Sequence, residues 1–300
     1  MAEHKHDDHY HPPGLQHQFE DMGQQMDSVT IGMWVFLAQE IMFFGGLFTA
    51  YLVFRSKFPM AFAAGSNELD ALWGGINTLV LIVSSLTMAL TVYYAQKGKK
   101  NMQVALIALT MLFGVAFLGI KAIEYSSKYE HGLIPVDGWN KRIKEGEHKE
   151  STAVRLPFET KASAAGTEEA HPNPSGDFQI NKEKAQPLID IAQKENFFTE
   201  SEKIGYFDGG EFSWEKFTQK VQIFFWIYFV MTGLHALHMI IGLGIMAWLL
   251  YKAYRGTFSQ DYYSPVEISG LYWHFVDIVW IFLFPLLYLL GRHFLAGGGH

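Results

Sequence analysis

A chain of 300 residues with a net charge of −7 and no cysteine excludes several chemistries at once. Without cysteine there is no disulfide scaffold, thiol nucleophile, Cys-ligated zinc, iron–sulfur cluster or thiolate-bridged copper, and an acidic balance with no large basic patch gives no footing for nucleic acid. The charged fraction of 18% would suit a soluble domain, but most of the charges crowd into residues 1–27 and 126–220; the remainder is apolar, and aromatic residues reach 16%, as in membrane spans and their interfacial belts.

The chain opens on a polar, acidic stretch, residues 1–27, in which His4, His6, His9, His11 and His17 lie around Asp7 and Asp8. Such spacing picks up a transition metal adventitiously, but a flexible tail accounts for it without a site. No cleavable signal is expected, because the first apolar run is too long for a signal core. Five runs then reach the roughly 20 apolar residues that a helix needs to cross a bilayer: residues 28–54, 72–94, 102–120, 221–251 and 268–290. Strands of a membrane barrel are about half that length and alternate in polarity, which these runs do not. The prediction is an all-α integral membrane bundle of five transmembrane helices, three within residues 28–125 and two within 221–292, with a long extramembrane loop, residues 126–220, between helices three and four. The loop is rich in Lys, Glu, Ser, Ala and Pro without a 2.0 or 3.6 period, and is expected to be extended or to order against a partner. Within it, residues 184–196 read as one short helix and the aromatics of 197–214 as a docking segment. Residues 293–300 close the chain as a flexible tail.

Lys97, Lys99 and Lys100 follow the second run, and Lys252 and Arg255 follow the fourth. In an alternating five-span topology these loops share a side, which the positive-inside rule makes cytoplasmic. The N-terminus is then cytoplasmic, with the long loop and the C-terminus outside. Arg55 and Lys57 oppose this orientation but are outnumbered.

Polar side chains inside the runs are the candidates for function, since an acidic residue at a helix centre costs about 2.5–3.5 kcal/mol on insertion scales and faces protein or trapped water. Glu40 is the only charge in the first run and serves either a structural hydrogen bond or a proton-related role, with a histidine of the fourth helix as its expected partner. On the fifth helix Glu267, Gly270, His274 and Asp277 are spaced 3, 4 and 3, on one face; Asp277 reads as structural, held by His274 or another polar neighbour. On the fourth, Tyr228, Thr232, His235, His238 and Gly242 share a face. Metal or haem ligation by His235 and His238 lacks the matching ligands on a second helix, so hydrogen-bonded packing is the simpler reading. Lys121 and Glu124 are three apart and suited to a structural ion pair.

These same residues carry a family resemblance. Tyr272-Trp273-His274-Phe275-Val276-Asp277-Ile278-Val279-Trp280 resembles the signature of cytochrome c oxidase subunit III, the haem-copper oxidase subunit III family, in its five-helix bacterial form. Similar to other hallmarks are Thr232-Gly233-Leu234-His235-Ala236-Leu237-His238 with Gly242, Gln39-Glu40 before Phe43-Phe44, Asn77-Thr78 with Ser84-Ser85, and Lys121 with Glu124-Tyr125. The resemblance implies a bacterial inner-membrane subunit without its own redox cofactor, haem and copper residing in subunits I and II. It implies packing on subunit I, bound phospholipid, and support of proton uptake during dioxygen reduction. It gives Glu40 the place of the buried glutamate facing subunit I, and puts lipid contact on the polar seam of His235, His238, Glu267 and His274. The long loop is longer than the family's usual one and is expected to meet subunit II, a cytochrome c domain or another respiratory complex. A quinol oxidase or nitric oxide reductase subunit is the near alternative. A self-sufficient proton or ion transporter using Glu40 and Asp277 is the distant one, disfavoured by the lack of inverted repeats and broken helices.

Overall fold

The computed structural model describes residues 15–142, 175–260 and 262–291. In chain order the elements are α1 (Met22–Lys57), α2 (Pro59–Asn67), α3 (Ala71–Gln96), α4 (Lys100–Glu130), α5 (Lys182–Lys194), α6 (Glu200–Tyr206), the two-residue strands β1 (Phe207–Asp208) and β2 (Glu211–Phe212), α7 (Trp214–Tyr254) and α8 (Ser264–Phe284), the last prolonged by a π-helical turn, Pro285–Leu289. Five of these helices, α1, α3, α4, α7 and α8, are long and apolar enough to cross a membrane. The fold is therefore all-α, a multi-pass membrane protein, as the apolar runs predicted. Three helices overrun their predicted ends by six residues or more: α4 runs to Glu130 rather than 120, α7 starts at Trp214 rather than 221, and α1 starts at Met22, inside the stretch read as a tail. Hydropathy marks only the part in oil, whereas a helix continues into water at little cost while its residues favour it. The histidines at positions 4, 6, 9 and 11 and the C-terminal tail lie outside the described residues.

The chain divides into two compact units, each taking part of every long helix. The first comprises residues 1–46, 80–115 and 237–279. Its centre is Trp273, fully buried. Glycine makes room for this indole: a Cβ at Gly114 would stand 2.8 Å from the Trp273 ring and 2.9 Å from Leu243, and one at Gly242 would stand 3.0 Å from the same ring. At the end of this unit, α3 and α7 stop in the same way. Gly98 (φ +64°) and Gly256 (φ +73°) turn left-handed, and the amides of Lys99 and Thr257 reach back to the carbonyls of Tyr94 and Lys252. This is the Schellman cap, which a β-carbon would strain.

The second unit comprises residues 47–79, 116–236 and 280–300. Pro285 interrupts the α-helical ladder, and carbonyls of the π-helical turn and of the residue that caps it are taken up by other helices. Leu286 O accepts from Tyr51 Oη at 2.6 Å, Leu287 O from Ser66 Oγ at 2.8 Å, and Leu290 O from an Arg55 guanidinium nitrogen at 2.8 Å.

The long loop differs from expectation. Its described residues form structure against the chain's own α2. α5 is N-capped by Asn181 and buries Ala185, Leu188, Ile189 and Ala192; among the element pairs in contact is α2 with α5. α6 begins with a complete capping box between Thr199 and Glu202, and the hairpin β1–β2 turns on Gly209 and Gly210, both at positive φ, as a two-residue loop requires. Buried Glu202 accepts from the Met60 amide at 2.7 Å and from Tyr206 Oη at 3.0 Å, while Tyr206 Oη accepts from the Ala61 amide at 3.2 Å. Two side chains of α6 thus cap the orphan N–H groups of α2. The apolar residues of the loop looked aperiodic because each belongs to a short element with its own register. Residues 143–174 lie outside the described part.

Candidate functional site

In the first unit the polar residues gather around His238 and His274. His238 Nε2 lies 3.2 Å from Glu40 Oε2. Both groups sit at low exposure, 14% and 12%, on helices whose backbone needs all their hydrogen bonding inward. Phe44 packs on the imidazole with ring centroids 5.5 Å apart, and Tyr272 Oη donates to the His238 carbonyl at 3.0 Å. Two residues along α8, His274 Nδ1 is 2.6 Å from Ser85 Oγ of α3. Trp273 Nε1 donates to Ser84 Oγ at 3.0 Å, so adjacent residues of α8 engage adjacent serines of α3. Asp277 is 2% exposed; its oxygens make no hydrogen bond of ordinary geometry, and Ser85 is its polar neighbour. The face containing Gly270, His274 and Asp277 is therefore turned toward α3, where Gly270 also meets Val92 and Met88. Glu267, predicted on that face, is only half-buried near the start of α8.

In the second unit a closed polar cluster surrounds Lys121. Its ammonium reaches Glu124 Oε2 at 2.8 Å and Tyr288 Oη at 2.8 Å. Glu124 Oε1 accepts from Tyr228 Oη at 2.8 Å and from Tyr288 Oη at 2.6 Å. The Trp280 ring lies 4.9 Å from the ammonium, in cation–π range. Every member of this network has a partner, and Lys121 and Glu124 are exposed by only 5% and 8%, which is how a buried ion pair survives its desolvation. His235 stands beside it, against Phe117 at 5.5 Å and Trp280 at 5.2 Å. Trp280 Nε1 donates to Thr78 Oγ1 at 3.0 Å.

The predicted fourth-helix face is thus divided. His238 goes to Glu40 and His235 to the aromatic wall, and the two histidines form no common site. Tyr288 was not singled out in the sequence, where a tyrosine near the end of the last span reads as an interfacial anchor. Glu202 and Tyr206 were missed as well; the only local signal was the Thr199–Glu202 capping-box spacing.

An all-α bundle of five membrane helices, with carboxylates and imidazoles buried in helix–helix contacts, defines a multi-pass membrane protein. Residues 197–292 match the family model for cytochrome c oxidase subunit III. Similar proteins include a probable quinol oxidase subunit 3 of Staphylococcus haemolyticus, 24% identical and covering 87% of this chain and 88% of that one. Cytochrome c oxidase subunit 3 of Synechocystis is 25% identical over 86% of this chain and 74% of its own, and that of Thermostichus vulcanus is 24% identical over 89% of each. These matches agree with the resemblance that the motifs carry, and the relatives so named are subunits of oxidases.

Proposed function

We propose that the chain is the accessory, non-redox subunit III of a proton-pumping terminal oxidase in a bacterial inner membrane. It stabilises subunit I, holds phospholipid and supports proton uptake while dioxygen is reduced to water. In this reading haem and copper belong to subunits I and II, and the N-terminus is cytoplasmic with the C-terminus periplasmic. The observation that carries it is Glu40 of α1, paired with His238 of α7. Only 11% of the apolar stretch of α1 is buried, against 56% for the last span. A helix that holds a carboxylate in oil yet leaves most of its own surface uncovered fits a subunit completed by a neighbour. Lipid contact falls to the half-buried His238, His274 and Glu267 rather than to enclosed His235. Relatives named for cytochrome c and for quinol are equally similar, which supports the oxidase class common to both.

The test is purification of the tagged full chain from its own membranes. A haem-bearing partner should accompany it, visible in a reduced-minus-oxidised spectrum; a colourless, partner-free preparation overturns the proposal. In the intact complex, Glu40→Gln should leave haem content unchanged and shorten the turnover lifetime severalfold. An unaltered lifetime removes the proton-uptake role.

A further inference from the structure

We propose that the tyrosines and tryptophan around Glu124 form a one-electron relay, which takes up an oxidising equivalent and holds it as a neutral tyrosyl radical. The supply of that equivalent, by a strong one-electron oxidant formed while a partner reduces dioxygen, rests on the function proposed above; the chemistry of the cluster does not.

Four oxidisable side chains of the second unit stand in a row. Ring centroids are 6.4 Å apart from Trp280 to Tyr288, 6.4 Å from Tyr288 to Tyr228 and 6.3 Å from Tyr228 to Tyr125. Rings this close exchange an electron directly, with no metal or cofactor between them. Trp280, Tyr228 and Tyr288 are fully buried, whereas Tyr125 is half-buried. The row therefore leads from the interior to a port at Tyr125.

A phenol that loses an electron sheds its proton, and the step is easy where a base already holds the hydrogen bond. Glu124 Oε1 accepts from Tyr288 Oη at 2.6 Å and from Tyr228 Oη at 2.8 Å, so one carboxylate oxygen serves both phenols. The oxidant gains one electron, the phenol O–H bond breaks, and the proton crosses the existing hydrogen bond. A neutral phenoxyl radical then faces a carboxylic acid. An electron returned through Tyr125 by a one-electron reductant such as ascorbate restores the phenol, and Glu124 gives the proton back. The neighbours decide where the equivalent rests. The Lys121 ammonium, 4.9 Å from the Trp280 ring, opposes a second positive charge on the indole. Trp280 Nε1 donates to the hydroxyl of Thr78 at 3.0 Å, and Tyr125 Oη is 2.6 Å from the hydroxyl of Thr232. A hydroxyl takes no proton from either, so only Tyr228 and Tyr288 can become neutral radicals in place. Their burial keeps water and solutes from quenching the radical.

The chain has no cysteine, so the substitution S126C, at an exposed position beside Tyr125, attaches a ruthenium polypyridyl photo-oxidant at one place. The full chain is used with whatever partners accompany it, and the unsubstituted chain treated alike supplies the background. After a flash with an electron acceptor present, electron paramagnetic resonance should show a neutral tyrosyl radical whose hyperfine pattern changes when ring-deuterated tyrosine is incorporated. Added to S126C, Y228F/Y288F should lose the long-lived signal, and E124Q, which keeps an acceptor but no base, should slow its appearance severalfold. Y94F/Y254F, two tyrosines of the other unit, should leave it unchanged. Y228F and Y288F singly should each keep a signal of lower yield, so the result does not depend on the double variant folding. Absence of a tyrosyl radical from S126C itself overturns the proposal, as does one of equal yield and lifetime in the phenylalanine variants or one formed as fast in E124Q. The flash requires neither dioxygen nor haem, so its failure is distinct from failure of the oxidase reading.

Discussion

Lys121 has its ammonium 2.8 Å from a carboxylate and 2.8 Å from a phenol, with three aromatic rings within 5.4 Å or less. Its removal leaves Glu124 in a dry interior with two phenol donors and, as countercharge, only the Lys128 ammonium, which it does not touch. Breaking one side of a buried pair costs about 3–5 kcal/mol, whereas replacing both sides with apolar residues is often neutral. Lys121→Met should therefore destabilise the chain by roughly that amount in equilibrium unfolding from mixed detergent, and K121M/E124L should recover most of the loss. A cost of the single change below about 1 kcal/mol would show the pair to be no more than a surface contact. The Lys121–Glu124 spacing was visible in the sequence because two residues three apart share a helix face. Tyr228 and Tyr288 were not visible as partners, since nothing local relates them to Glu124. The same limit applies to the fourth helix. His235 and His238 are three residues apart and were read as one face, but the helix turns about 300° over that interval; the residual angle is enough to direct one to a tryptophan and the other to a carboxylate.

At the scale of elements, the five spans were legible because about 20 apolar residues in a row admit no other structure. α2 was not. Its nine residues, 59–67, offer only Pro59 at the first turn as a start signal, and its caps come from α6, far along the chain. That junction titrates. Burial pushes the Glu202 carboxyl above its ordinary range, against the opposing hydrogen bonds from Met60, Thr199 and Tyr206. A carboxyl with a raised folded pKa favours folding fully below its unfolded value, near 4.3, and that contribution is lost as pH rises through the folded value. The α2–α6 junction should therefore loosen as pH increases above about 4. Hydrogen exchange at the Met60 and Ala61 amides reads this directly, after correction for the intrinsic pH dependence of exchange. Glu202→Gln, which keeps the shape and remains uncharged, should flatten the profile. A profile of the same slope in the variant assigns the pH dependence to another group.

At the scale of the whole molecule, the described part of the long loop raises a question of order: whether it serves the chain itself or a neighbour. Its inward side answers to the chain. Phe178, Ile180, Leu188, Ile189 and Tyr206 are buried, Lys184 reaches Glu68 at 3.5 Å, and Gln222 of α7 holds the Pro135 carbonyl at 2.9 Å. Its outward side carries Trp139 at 69% exposure and Ile204 at 82%, apolar groups off the transmembrane helices with nothing of the described chain over them. Replacing residues 140–210 by a short flexible linker separates the two roles. Insertion of the five spans should survive, because it depends on apolar length alone. Thermal unfolding should start earlier, and protease should cut within residues 58–70, because the caps of α2 and the cover over its apolar side are gone. If the outward side also meets a partner, the substitution I204K in the otherwise complete chain should release that partner without touching the protease pattern. A chain shortened over 140–210 that resists protease as the parent does would mean that α2 holds its place unaided, and the network on Glu202 would then be a consequence of the fold and not a cause of it.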